Sequence, residues 1–151
     1  MLRAVDALIA RGALREEVFA QIGCATYVPQ HFAYERYLDA DEFHRHVLES
    51  DIVLTHGGTG AIVGALKAGK RVVAVARLSR FGEHVDDHQL QIVRHFENTR
   101  CILVARDMDR LDDTLQRARE FQPKVFRSGT ENIIGIISGY IDGNEAKRVG
   151  K

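Results

Sequence analysis

The residues best placed to do chemistry are His56-Gly57-Gly58-Thr59-Gly60, which follow the apolar run Asp51-Ile52-Val53-Leu54-Thr55 and lead into a segment of helical composition ending near Ala68. Glycines between a buried strand and a helix permit a tight turn and let a ligand approach the backbone amides closely. The first amides of a helix have no intrahelical acceptor, and the helix dipole adds positive potential there. The chemistry that fits is the binding of a diphosphate. A turn that merely packs is the bland alternative. A second polar stretch, Gly82-Glu83-His84-Val85-Asp86-Asp87-His88-Gln89, follows the next apolar run. Its carboxylates, imidazoles and Gln amide offer directional donors and acceptors of the kind that sugar hydroxyls require. Here the alternative is a solvated helix start with Asp86 as its N-cap.

Three competing patterns fail on their own terms. Gly58-Thr59-Gly60-Ala61-Ile62-Val63 imitates a dinucleotide fingerprint, but Val63 stands where the third Gly or Ala belongs, and no acidic residue follows at the ribose distance. Gly64 to Lys70 fits G-x4-G-K, yet Arg71 replaces the magnesium-binding Ser or Thr, and the segment runs from helix to strand. His84 and His88 are spaced one helical turn apart, but the helix is expected to begin only between them, so no metal site is expected.

The elements that must position these residues are legible from their periodicity. Leu2, Val5, Leu8 and Ile9 mark an amphipathic helix ending near Gly12. Strands are expected over 18–22 and, nearer an edge, over 32–38. Asp41 is expected to open a helix with Phe43, Val47 and Leu48 on its inner face. Strands follow at 51–55, 71–76 and 101–104, separated by helices over about 56–68 and 86–96. Asp107 is expected to cap a helix with Met108, Leu111 and Leu115 inward. The capping box Ser128-Gly129-Thr130-Glu131 begins a last helix carrying Ile133, Ile134, Ile137, Tyr140 and Ile141. His31, His44, His46 and His95 have no evident partners in the sequence. Alternation of strand and helix, with nearly continuous apolar strands in the middle, predicts an α/β fold: an open, mostly parallel, doubly wound (Rossmann-like) sheet. Residues 1–143 form the domain and 144–151 a polar tail. Ligands of such sheets sit at the carboxyl ends of the strands, where both polar stretches fall.

Composition narrows the function classes. The chain of 151 residues is 45% hydrophobic, enough to bury a core of its own, and carries 21 basic and 21 acidic residues. Nucleic-acid binding would lack its main electrostatic term. Cys24 and Cys101 stand far apart and make no metal-type pair, so they read as reduced cytosolic thiols. No apolar run approaches the length of a membrane span, and the first residues contain no signal-type apolar region. Membrane contact is therefore expected through a partner.

Taken together, Thr55-His56-Gly57-Gly58-Thr59-Gly60-Ala61-Ile62, Ala68-Gly69-Lys70-Arg71-Val72-Val73 and Gly82 to Gln89 resemble the C-terminal domain of glycosyltransferase family 28. The likeness is to its small soluble members that pair with a membrane-associated protein in exopolysaccharide or lipid-linked oligosaccharide synthesis. What the resemblance implies is the donor half of a split GT-B enzyme. This half would bind a UDP-sugar as substrate with no cofactor and no metal, and the partner subunit would supply the acceptor site. A hexosyl group would pass to a lipid-linked acceptor at the cytoplasmic face of the membrane. Carried over by position, Gly57, Gly58, Thr59 and Gly60 would cradle the diphosphate, Asp87, His88 and Gln89 would reach the donor sugar, and Glu83 and His84 would line the loop. His56 is the candidate catalytic residue of this chain. The alternative is a non-catalytic nucleotide-sugar-binding or scaffolding module that stabilises or regulates the partner.

Two positions and one whole element depart from the family's pattern. Gly64 stands where a related enzyme has a ribose-binding Glu, and Ala76 where a proline commonly follows the strand. The family's opening strand, of the type Phe-Val-Thr-Val-Gly-Thr and central in its sheet, has no match here. The sheet is therefore expected to lack that strand, which would leave two rows of backbone groups unpaired.

Overall fold

The structure, a computed structural model, describes residues 1–75 and 87–126, and for 87–92 the backbone alone. The expected last helix from Ser128 and the tail at 144–151 lie outside the described residues, as do Ala76 and the loop through Asp86.

The chain runs α1 (Leu2–Ala10), β1 (Phe19–Gln21), β2 (Ala33–Glu35), α2 (Ala40–Glu49), β3 (Ile52–Thr55), α3 (Thr59–Lys67), β4 (Arg71–Val75), α4 (Asp87–Asn98), β5 (Leu103–Ala105) and α5 (Leu111–Glu120). All strand pairs among the described residues are parallel. β3, β4 and β5 form one sheet in that order, with Leu54 opposite Val73 and Val73 opposite Leu103. The alternation of strand and helix thus gives the doubly wound arrangement the sequence predicts.

The reason lies in the residues of β4. Val73 and Val75 point into one apolar cluster with Val5 and Leu8 of α1 and Leu111, Leu115 and Ala118 of α5. Val72 and Ala74 point into another with Ile62, Ala65 and Leu66 of α3 and Val93 and Phe96 of α4. A strand with apolar residues on both sides is stable only when helices cover both faces. Leu111, Ile62 and Val73 have no solvent exposure, so these clusters are the core.

The sheet is interrupted, in keeping with the expected lack of a central strand: β1 and β2 form a separate two-stranded sheet, with Ala20 opposite Tyr34. Each of these strands is three residues long, and no strand among the described residues joins β1 to β3. The two sheets are instead connected by side chains, since Val18 and Phe32, which flank the small sheet, pack on the α1–α5 core.

Local details shift in physically readable ways. The N-cap of α2 is Asp39, whose carboxylate accepts from the Glu42 amide at 2.8 Å, and Asp41 falls inside the first turn. Both acids suit a helix start, and the one placed to reach the third helical amide becomes the cap. Phe43 and Leu48 are exposed rather than inward, and only Val47 of that face meets the core. After β5, Asp107 accepts from the Asp109 amide at 3.0 Å and opens a 3-10 turn, Met108–Arg110, before α5 begins.

Candidate functional site

β3 ends at Thr55 and α3 begins at Thr59, so His56, Gly57 and Gly58 make the whole connection. The first helical bond runs from the Ile62 amide to the Gly58 carbonyl at 3.1 Å, which places the amides of Thr59, Gly60 and Ala61 ahead of the helical ladder. Gly58 is the N-cap and brings no side chain to those amides. Thr59, Gly60 and His56 are exposed. The turn therefore presents the positive end of a nine-residue helix at the carboxyl edge of the sheet, the geometry that suits an anion.

The glycines in this turn differ in their reasons for being glycine. Gly57 is buried with φ +77°, and a Cβ built on it would lie 2.9 Å from Val93 Cγ2 and 4.0 Å from the Val75 carbonyl oxygen. Its requirement is steric and internal. A Cβ on Gly58 or Gly60 would meet nothing within 4 Å, and neither has a positive φ. Among the described residues, no packing contact demands glycine at those two positions, and open space lies over both. Gly64, on the exposed side of α3, also has open space.

The second polar stretch is only partly in view. Glu83 and His84 lie outside the described residues. Asp87, His88 and Gln89 form the first turn of α4, with their backbone alone described. Connectivity brings this turn to the same edge, because α3 follows β3 and α4 follows β4, and these strands are parallel neighbours. α4 is fixed at its other end, where Arg106 donates to both carboxylate oxygens of Glu97, at 2.8 and 2.5 Å. The segment Gly64 to Lys70 runs from α3 into β4, at the opposite edge of the sheet from a strand-to-helix phosphate loop. No cluster of metal-ligating side chains occurs among the described residues.

Sequence reasoning missed a polar knot away from the turn. Asp6 on α1 is 3% exposed. Its carboxylate accepts from the Tyr27 hydroxyl at 2.5 Å, the Gln30 amide at 3.0 Å and the His31 amide at 2.8 Å, and lies 3.1 Å from His31 Nδ1. Burial alone would raise its pKa, but the hydrogen bonds from Tyr27, Gln30 and His31 outweigh it and lower the pKa from 3.8 to about 2. The same bond holds the Tyr27 phenol above its ordinary value. His46 likewise has a partner, stacking on Phe19 of β1 with ring centroids 3.9 Å apart. The partners of Asp6 are more than twenty residues away, so no local spacing announces them.

The glycosyltransferase family 28 C-terminal domain matches this chain over residues 2–138. A curated relative, the UDP-N-acetylglucosamine transferase subunit ALG13 of Yarrowia lipolytica (strain CLIB 122 / E 150), is 27% identical over 96 residues. That match covers 62% of this chain and 47% of the relative, so the chain spans about half the length of the curated relative it matches.

Proposed function

The chain belongs to the glycosyltransferase family 28 C-terminal domain family, and from that premise we propose that it is the donor-binding subunit of a UDP-sugar glycosyltransferase. The UDP diphosphate rests on Gly58, Thr59 and Gly60, where the amides at the start of α3 and the helix dipole offset its charge. The observation that carries this reading is the open space over Gly58 and Gly60, two glycines that no packing contact among the described residues requires. Asp87, His88 and Gln89, at the start of α4, are assigned to the sugar, and the family resemblance adds Glu83 and His84 to the same group. His56, exposed at the end of β3, is the candidate for proton transfer to or from the acceptor.

A membrane-associated partner subunit supplies the acceptor site in this reading, and a hexosyl group passes to a lipid-linked acceptor at the cytoplasmic face. Two observations support the division of labour. No helix among the described residues is long and apolar enough to cross a membrane, and the name of the curated relative describes a subunit. No metal or cofactor is assigned to the site, because the helix start already supplies positive potential for the diphosphate.

The test is an amide NMR titration of the chain with UDP, repeated with Gly58→Val. A Cβ added at residue 58 meets no atom of the described residues within 4 Å, so the variant is expected to keep the fold, with a cost of about 1 kcal/mol for a poor N-cap. Shifts at residues 56–60 and 87–89 in the native chain, and none in the variant, are expected. A well-dispersed spectrum indifferent to UDP would replace this reading with that of a scaffold for the partner.

A further inference from the structure

We propose that the contact between Gly57 and Val93 seats α4 against the glycine turn, which makes Val93 a positioning residue for the nucleotide-sugar site. The inference rests on the reading above and adds to it a residue that never touches the ligand.

The geometry is specific. The position a Cβ would take on Gly57 is bordered by Val93 Cγ2 of α4 at 2.9 Å and by Val75 O of β4 at 4.0 Å. The distance of 2.9 Å from an ideal Cβ to Val93 Cγ2 is shorter than carbon atoms approach, so α4 sits nearer the turn than any other residue at 57 permits. Val93 has no room to yield. It is 5% exposed and packed in the cluster of Ile62, Ala74, Phe96 and Ile102. Its branched side chain also holds essentially one rotamer in a helix. A stiff side chain against a bare backbone is a spacer of fixed length.

The consequence falls on the first turn of α4. Gln89 lies one helical turn before Val93, and Asp87 lies six residues before it, about 6 and 9 Å along the axis at the usual rise per residue. The far end of the helix is held by the paired bonds between Arg106 and Glu97. With the middle of the helix seated at Val93 and its last turn held at Glu97, the rigid helix sets the height of its own start relative to the start of α3, and in the proposed reading both starts serve one ligand. Gly57 thus serves the spacing between the halves of the site, whereas Gly58 and Gly60 serve the ligand.

A double-mutant cycle tests this on the full chain: Gly57→Ala, Val93→Ala and the double variant, each measured for UDP affinity and for urea unfolding. The backbone strain of Ala at φ +77° is present in both variants that carry it, so it cancels from the coupling. Gly57→Ala is expected to weaken UDP binding about tenfold and Val93→Ala about threefold, while the double variant, with a methyl in the space the valine vacates, binds several-fold more tightly than Gly57→Ala. Additive losses in the double variant would overturn the proposal. So would a coupling seen in unfolding but absent from UDP affinity, which would leave a packing contact and no positioning role. If the native chain binds no UDP, the nucleotide reading fails instead, and the unfolding cycle alone decides the contact, with coupling under about twofold counting against it.

Discussion

In the β3–β4–β5 sheet, residues 72–75 of the central strand are buried and helices cover both faces. In the β1–β2 sheet every residue of β2 is exposed, and only Ala20 of β1 is half-buried. The larger sheet is held by apolar area, which is non-directional and widely shared. The smaller one is tied to the body by a few directional contacts: the Asp6 knot gathering Tyr27, Gln30 and His31, the Phe19–His46 stack, and Val18 and Phe32 at its margins. The difference teaches where precision has been placed. The candidate site stands on the sheet whose position many contacts determine, and the segment held by few contacts lies elsewhere in the chain.

Cutting each kind of attachment separates the two cases. Leu111→Ala removes a side chain with no solvent exposure from the α1–α5 core, and about 2–5 kcal/mol of stability should go with it. Both sheets should be lost together in urea, seen as coincident fluorescence and circular dichroism transitions. Next in size, Asp6→Asn should cost about 2–3 kcal/mol, because a charged acceptor of several hydrogen bonds is replaced by a weaker one. Its signature in hydrogen exchange is faster opening of residues 19–35 with little change in β4. If β4 amides accelerate equally, Asp6 holds the whole fold and not the small sheet in particular, and the comparison is wrong.

Acid should reproduce the milder lesion. The folded pKa of Asp6, about 2, lies below the unfolded 3.8, so its contribution is complete above about pH 4 and lost as pH falls toward 2. An acid unfolding profile in which Asp6→Asn lacks this component would confirm the assignment. The smallest effect concerns the site. Gly60→Ala meets no atom of the described residues within 4 Å, in a helix first turn where Ala is preferred, so it should raise stability by about 0.5–1 kcal/mol while weakening UDP binding. A calorimetric scan that shows the gain together with undiminished UDP affinity would remove the ligand from this turn.

How much of this was legible in the residues follows from the range of the forces. The strand, glycine turn and helix at 51–68 is local: apolar run, turn residues and helix formers lie side by side, and the structure puts the turn where they predict. The cap of α2 was misplaced by two residues because Asp39 and Asp41 are chemically alike and only the geometry of the Glu42 amide chooses between them. The Asp6 knot was invisible, since its carboxylate finds its donors across the fold. The break between the sheets was legible only through the family resemblance, as the place of the missing opening strand; the short strands themselves do not announce it, because pairing is decided by which edges meet. The distinction between Gly57 and its neighbours needed coordinates as well, because a helix from a later part of the chain creates it.

The pairing register also bears on how the molecule assembles. Residues of β4 lie 19 positions beyond their partners in β3, whereas those of β5 lie 30 positions beyond their partners in β4. Closing the shorter loop is favoured by about 0.4 kcal/mol of chain entropy, roughly a factor of two in rate. The crossover carrying the glycine turn and α3 therefore has the kinetic lead. In the folding transition state, contacts of α3 with β3 and β4 should be more nearly formed than those of α4. The glycine turn would then be in place before α4 packs against it.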